Sequence, residues 1–230
     1  MTTWIGLDGD DTLWHSERHF VDAQRLYNEL LSDYIDTSEL HDRLMRTERR
    51  NLEIFGYGVK GFTLSLVETA IEMTDGSIGG ADVQRIIDLG KEVLQHPVEL
   101  LDGVAEGIDG LLTAGHRLVI ITKGDLLHQE TKVAQSGLAD VVDGVEIVAE
   151  KDAQTYQNAL GRHGIDSADF TMVGNSVRSD VLPVLEIGGR AIHIEYEYTW
   201  DHEVVSEHDR PEGYEVATSF ADVPTLVSRE

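Results

Sequence analysis

The chain has no cysteine in its 230 residues, which excludes disulfides, thiolate nucleophiles and cysteine-bound zinc. Lysine is almost as scarce: Lys60, Lys91, Lys123, Lys132 and Lys151 are all there are, and 18 basic residues face 43 acidic ones for a net charge of -25. A surface so acidic repels a phosphate backbone and anionic lipid, so neither nucleic acid nor membrane is expected as a partner. It also repels small phosphorylated molecules, which then need a locally positive site. The excess carboxylate reads as a solvated surface, with a high-salt cytoplasm as the sharper alternative. No window of about 18 uninterrupted apolar residues occurs, and the opening residues lack the basic, apolar, small-residue order of a signal peptide. A soluble cytoplasmic protein is expected, as a monomer or homodimer.

What is present suffices for a sizeable core: 41% of the residues are apolar and no fixed-period repeat occurs. Apolar periodicity predicts a buried strand at 4–8 and the next only at 117–122. Between them the pattern is helical, over about 16–35, 38–54, 62–73 and 81–94. From Val104 helix and strand alternate, with helices predicted over 104–114, 126–136, 152–163 and about 178–187, ending at Gly115, Gly137, Gly164 and Gly188, and strands at 145–148, 170–173 and 191–194. The predicted fold is therefore α/β, a doubly wound parallel sheet with an inserted α-helical bundle. Residues 1–13 and 98–230 form the core and 14–97 the insertion. The stretch 196–213 reads as acidic and irregular, followed by a last short strand and helix.

Polar groups stand where the strands end: Asp8 and Asp10 after the first, Thr122 after the second, Lys151 near the third, Asn175 and Asp180 after the fourth. Ligands of open α/β sheets bind at that edge. Asp8 is the natural nucleophile, since a carboxylate can form an aspartyl-phosphate and split one hard displacement into two easier ones. Asp10 is expected to serve as acid and base, with a pKa raised by its carboxylate neighbours. Thr122, with the backbone N–H groups of Lys123 and Gly124, and Lys151 supply donors and positive charge for the transferring phosphoryl group. The Lys123 side chain itself is expected to face solvent. Asp11 and Thr12 are assigned structural roles in the turn.

Taken in order, Leu7-Asp8-Gly9-Asp10-Asp11-Thr12-Leu13, Ile120-Ile121-Thr122-Lys123-Gly124, Glu150-Lys151-Asp152 and Met172-Val173-Gly174-Asn175-Ser176 through Asp180 resemble the four motifs of the haloacid dehalogenase-like superfamily. The helical insertion resembles that superfamily's α-helical cap. The resemblance implies a hydrolase, here a magnesium-dependent phosphatase acting on a small phosphorylated metabolite. Hard oxygen ligands without His or Cys fit Mg2+, and Asp8, the Asp10 carbonyl, Asn175 and Asp180 are the expected ligands. The family often has Asp where Asn175 stands, so one negative charge is missing and Asp180 is expected to make the direct contact. The resemblance also implies that Tyr57 and Lys60, in the Gly56–Phe62 loop, contact the substrate's leaving group. A sugar-phosphate mutase shares the same catalytic residues. A 2-haloacid dehalogenase, opposed by Asp10 and Asp180, and a non-enzymatic phosphoacceptor domain complete the alternatives. His15 and His19, four apart, lack a recognisable third zinc ligand.

Overall fold

The structure, a computed structural model, describes residues 3–228. Six strands, β1 (Trp4–Leu7), β2 (Arg117–Lys123), β3 (Gly144–Val148), β4 (Phe170–Gly174), β5 (Arg190–Ile194) and β6 (Glu215–Ala217), make one sheet in the order β3-β2-β1-β4-β5-β6. Every pairing is parallel. Because β1 lies between β2 and β4, the strand order reverses at β1, and the crevice outside its carboxyl end is the place where such sheets bind ligands.

Alternation along the strands fills both faces of the sheet. Ile5, Leu7, Leu118, Ile120, Val173 and Ile192 share one core with Val104, Ile108 and Leu111 of α5 (Val104–Thr113). Val119, Ile121, Phe170 and Met172 face the other way, onto Tyr156 and Leu160 of α7 (Ala153–His163). Gly6 has no room for a side chain, since a Cβ would come within 2.4 Å of the Phe170 ring. Fully burying one such aliphatic side chain contributes roughly 1.5–3 kcal/mol.

The chain divides into two compact units after Glu17 and again after Pro97. The 18–97 unit is helical, with α1 (Glu17–Leu31) leading into it, then α2 (Leu40–Phe55), α3 (Val59–Met73) and α4 (Gly80–Gln95). Tyr27, Leu31, Leu40, Leu44, Leu66 and Ile86 are among its core residues. Arg50 ties α2 to α3 through Glu68 and Glu72. Gly56 (φ 70°) and Gly58 (φ 120°) flank Tyr57 in the turn between these helices, a path that a β-carbon would strain. The division falls after Glu17, not before Trp14: Trp14 is fully buried in the sheet's core and bridges to Leu100.

In place of a regular helix over 178–187, a wide π-turn runs over Val177–Val181 before α8 (Leu182–Glu186). Pro183 has no N–H to donate, which interrupts the α-helical ladder at that point. Among the described residues no helix is long and apolar enough to cross a membrane.

Candidate active site

The loop after β1 turns tightly: the N–H groups of Leu13 and Thr12 both donate to the Gly9 carbonyl, at 2.8 and 3.3 Å. Gly9 is required there because a Cβ would meet the Trp14 ring at 2.6 Å. Asp11 adopts φ 60°, a left-handed conformation that Asp tolerates, and its carboxylate accepts from the N–H groups of Ser16 (2.8 Å) and Glu17 (3.0 and 3.1 Å). It thus satisfies donors at the start of α1. Asp8 and Asp10 are left at the sheet edge.

Asp8 is buried, and its Oδ1 accepts from Lys151 Nζ at 2.5 Å. The same ammonium donates to Asp180 Oδ1 at 2.7 Å, so one buried cation serves two buried carboxylates. That imbalance governs the charge states. Burial and the nearby Asp180 push the Asp8 carboxyl up to about 7 despite Lys151. Burial opposes the charge on Lys151, but the two aspartates outweigh it and raise its pKa.

Asp180 is held from behind as well: its Oδ2 accepts from the Ser176 N–H at 3.0 Å, and Tyr156 Oη lies 3.4 Å from Oδ1. A Cβ on Gly174 would fall 2.2 Å from the Asp180 carboxyl, so β4 must end in glycine for this side chain to fold back. Both Asp180 oxygens are therefore engaged. Asn175, with its amide nitrogen toward β1, donates to Asp8 Oδ2 at 3.2 Å and to the Asp10 carbonyl at 3.3 Å.

Asp10 differs from expectation. Burial raises its pKa, but the Lys132 ammonium, bonding Oδ1 at 2.5 Å and Oδ2 at 2.7 Å, outweighs burial together with Trp14 Nε1 (2.6 Å) and Gln129 Nε2 (3.1 Å). The Asp10 carboxyl is held below the ordinary range, not above it. Gln129 and Lys132 lie on α6 (Leu126–Ser136), three residues apart and hence on one face. Gln129 Nε2 also donates to Thr122 Oγ1 at 2.8 Å and to the Lys123 carbonyl at 2.8 Å.

The Lys123 side chain does not face solvent. It is 12% exposed and bonds Glu203 at 2.6 Å, Glu150 at 3.2 Å and Ser179 Oγ at 3.2 Å. Glu203 also accepts from Ser176 Oγ (2.5 Å) and Ser179 Oγ (2.6 Å). These donors, Lys123 foremost, override burial and keep its pKa low. Sequence reasoning missed Glu203, Lys132 and Gln129. The signal for Lys132 was there: in a chain with five lysines, it shares a helix face with Gln129 next to the apolar Val133.

Asp8, Asp10, Thr122, Lys151, Asn175 and Asp180 thus form one bonded cluster at the sheet edge, with Lys123 at its margin. Tyr57 and Lys60 belong to the helical unit, at the α2–α3 turn and the start of α3. His15 bonds Tyr196 Oη at 2.7 Å, while His19 stacks on His96 with ring centroids 3.6 Å apart. Among the described residues no group of three or more His, Asp or Glu side chains is placed to hold a metal ion. The hard oxygens that do converge are one of Asp8 and the carbonyl of Asp10, with the Asn175 amide N–H between them.

The family model for haloacid dehalogenase-like hydrolases matches residues 3–188. The chain belongs to that family. A solved haloacid dehalogenase-like hydrolase from Xanthomonas campestris is 44% identical, with a TM-score of 0.87 over 98% of this chain and 90% of that one. Two more distant members share the fold. A predicted phosphoglycolate phosphatase from Haemophilus somnus is 16% identical, with a TM-score of 0.66 over 99% of this chain and 98% of that one. A 2-haloacid dehalogenase from Pseudomonas syringae is 19% identical, with a TM-score of 0.62 over 100% and 99%. No curated protein matches the chain. As a haloacid dehalogenase-like hydrolase, the protein carries its motif residues at and just past the carboxyl ends of β1, β2 and β4, with Lys151 just beyond β3.

Charge in this cluster makes stability depend on pH. Burial, then Asp10, raises Asp11 to about 7, and Asp8 is raised to a similar value. Between about pH 4 and 7 the native state therefore binds more protons than the unfolded chain, whose aspartates titrate near 3.9, and stability falls as pH rises through that window. The Tm of metal-free protein is expected to drop from pH 5 to pH 8. Asp11→Asn keeps a residue that tolerates φ 60° and removes one titrating group, so thermal melts across that range should show a shallower drop. An unchanged slope refutes the assignment.

Proposed function

We propose that this hydrolase is a magnesium-dependent phosphatase that cleaves a small organic phosphate monoester, a phosphorylated metabolite of the cytoplasm, through an aspartyl-phosphate on Asp8. The reading rests above all on the convergence of Asp8 Oδ2, the Asp10 carbonyl and the Asn175 side chain. Their oxygens face one region that an amide N–H now spans. Turning the Asn175 amide brings a third oxygen to it, and a hard cation satisfies such a set. Asp8, the Asp10 carbonyl and Asn175 would hold Mg2+, while Asp180, its oxygens taken by Lys151 and Ser176, supports the site from behind. When bound, the metal screens the charge of a phosphate from that of the carboxylates around it.

The protein's own groups do the rest. The second oxygen of Asp8 is oriented by Lys151, which offsets the repulsion between nucleophile and phosphate. Thr122 Oγ1 accepts from Gln129, which leaves its O–H hydrogen free to donate to a phosphoryl oxygen. Asp10, kept ionised by Lys132, Trp14 and Gln129, is in the form that can take a proton from the water that hydrolyses the aspartyl-phosphate, although its lowered pKa makes it a weaker base. Tyr57 and Lys60 are proposed to read the leaving group.

A panel of phosphate esters, assayed for released inorganic phosphate with Mg2+ and with chelator, tests the reading. Chelation is expected to lower turnover at least about 100-fold, and readdition of Mg2+ to restore it. Phosphate that moves between positions of a sugar without being released would instead make the protein a mutase. Chloride release from 2-chloropropionate with no phosphatase activity would make it a dehalogenase.

A further inference from the structure

We infer that Lys132 is a positioning residue of the reaction: with Trp14 and Gln129 it fixes the Asp10 carboxylate at the one place from which it can serve the second chemical step. The inference rests on the phosphatase reading above. Its basis is geometric. Lys132 Nζ reaches both Asp10 oxygens, at 2.5 and 2.7 Å, Trp14 Nε1 adds a bond to Oδ1 at 2.6 Å, and Gln129 Nε2 one to Oδ2 at 3.1 Å. Four contacts from three side chains leave the carboxylate no alternative rotamer that keeps them. The side chain of Lys132 is only 10% exposed, although an acidic surface offers a lysine many partners in solvent.

Placing an ammonium there costs desolvation, and replacing such a buried pair by apolar groups is often neutral for stability. A purely structural role would be served as well by an apolar pair at both positions, whereas with Asp10 retained its charge needs the ammonium. A carboxylate that must meet a moving water molecule has a stricter need, because a misplacement of about 1 Å can cost on the order of 100-fold in rate. In that step the water oxygen bonds to phosphorus and the bond from phosphorus to the Asp8 oxygen breaks, its electron pair returning to Asp8. The water proton passes to Asp10. Gln129 couples this clamp to the phosphate-binding end of the site, since the same Nε2 bonds Thr122.

The test uses p-nitrophenyl phosphate, whose leaving group needs no proton, so the first step is spared and only hydrolysis of the aspartyl-phosphate depends on Asp10. Lys132→Met is expected to lower kcat on the order of 100-fold and KM in proportion, leaving kcat/KM unchanged, with a burst of p-nitrophenolate before the slow steady state. Lys132→Arg should recover most of kcat. A fall in kcat/KM at constant KM, or wild-type kinetics in Lys132→Met, overturns the inference. If Lys132→Met does not fold, Trp14→Phe, which removes another donor from the same carboxylate, is read in the same way. Failure of the wild type to hydrolyse p-nitrophenyl phosphate would reject the phosphatase reading itself. The indole N–H resonance of Trp14, assigned by its loss in Trp14→Phe, then decides. A shift in Lys132→Met that Lys132→Arg does not show supports the clamp, and an unmoved resonance rejects it.

Discussion

Asp8→Asn is expected to abolish phosphate release while leaving the protein folded. The amide preserves the size of the side chain but is a far poorer nucleophile, so the covalent intermediate no longer forms. Loss of the aspartyl-phosphate route is expected to lower kcat by at least about 10⁴-fold, toward the background left by binding and electrostatics alone. The fold has reason to tolerate the change, and even to gain from it. Asp8 is one of two carboxylates crowded on a single ammonium, and burial with Asp180 already raises its pKa. A neutral amide in its place relieves that crowding, so the variant should melt no lower than the wild type at pH 8. Intact protein mass spectrometry supplies the direct check: a phosphorylated species trapped by acid quench in the wild type should be missing in the variant. A variant that still turns over, or still takes up the label, removes Asp8 from the reaction.

Lys151→Ala should have the second largest effect and should act on stability as well as on rate. The side chain is 2% exposed and bonds both Asp8 and Asp180, so its loss leaves two buried carboxylates without their cation. Breaking a buried pair by removing one partner typically costs about 3–5 kcal/mol. Proton uptake by Asp8 offsets part of this below neutral pH, so melting should fall more at pH 8 than at pH 5.5. Turnover is expected to drop on the order of 10³-fold, since charge neutralisation between nucleophile and phosphate is lost. Steady-state kinetics beside melts at both pH values test the two effects together. Equal destabilisation at pH 5.5 and pH 8 would mean that the charge triad is not what Lys151 holds together.

Both variants concern residues legible from the sequence, and their legibility has a physical basis. A buried parallel strand is a short apolar run, and the residue that follows it stands at the sheet edge wherever the strand lies in the order. Periodicity therefore located Asp8, Thr122 and Asn175 along with the parallel α/β fold. It also placed α6 over Leu126–Ser136 within the reading's precision. Spacing carries no comparable information about side-chain pairing between distant elements. Lys132 meets Asp10 from 122 residues away, and Lys123 meets Glu203 from 80 residues away, the latter in a stretch without periodicity. The charge state of Asp10 was misjudged for that reason, because its carboxylate neighbours were visible in sequence and its lysine was not. The helix expected over 178–187 failed locally, where Pro183 and the folding back of Asp180 favour a wide turn.

The position of β1 in the middle of the sheet has a consequence for how the molecule comes into being. β1 precedes the other strands of the sheet along the chain yet is bordered by β2 and β4, and the lysine that neutralises its nucleophile follows 143 residues later. Contacts so distant along the chain close slowly. A growing polypeptide thus carries Asp8 without its lysine until β1, β2 and β3 have been made, and the cluster is whole only once β4 has followed.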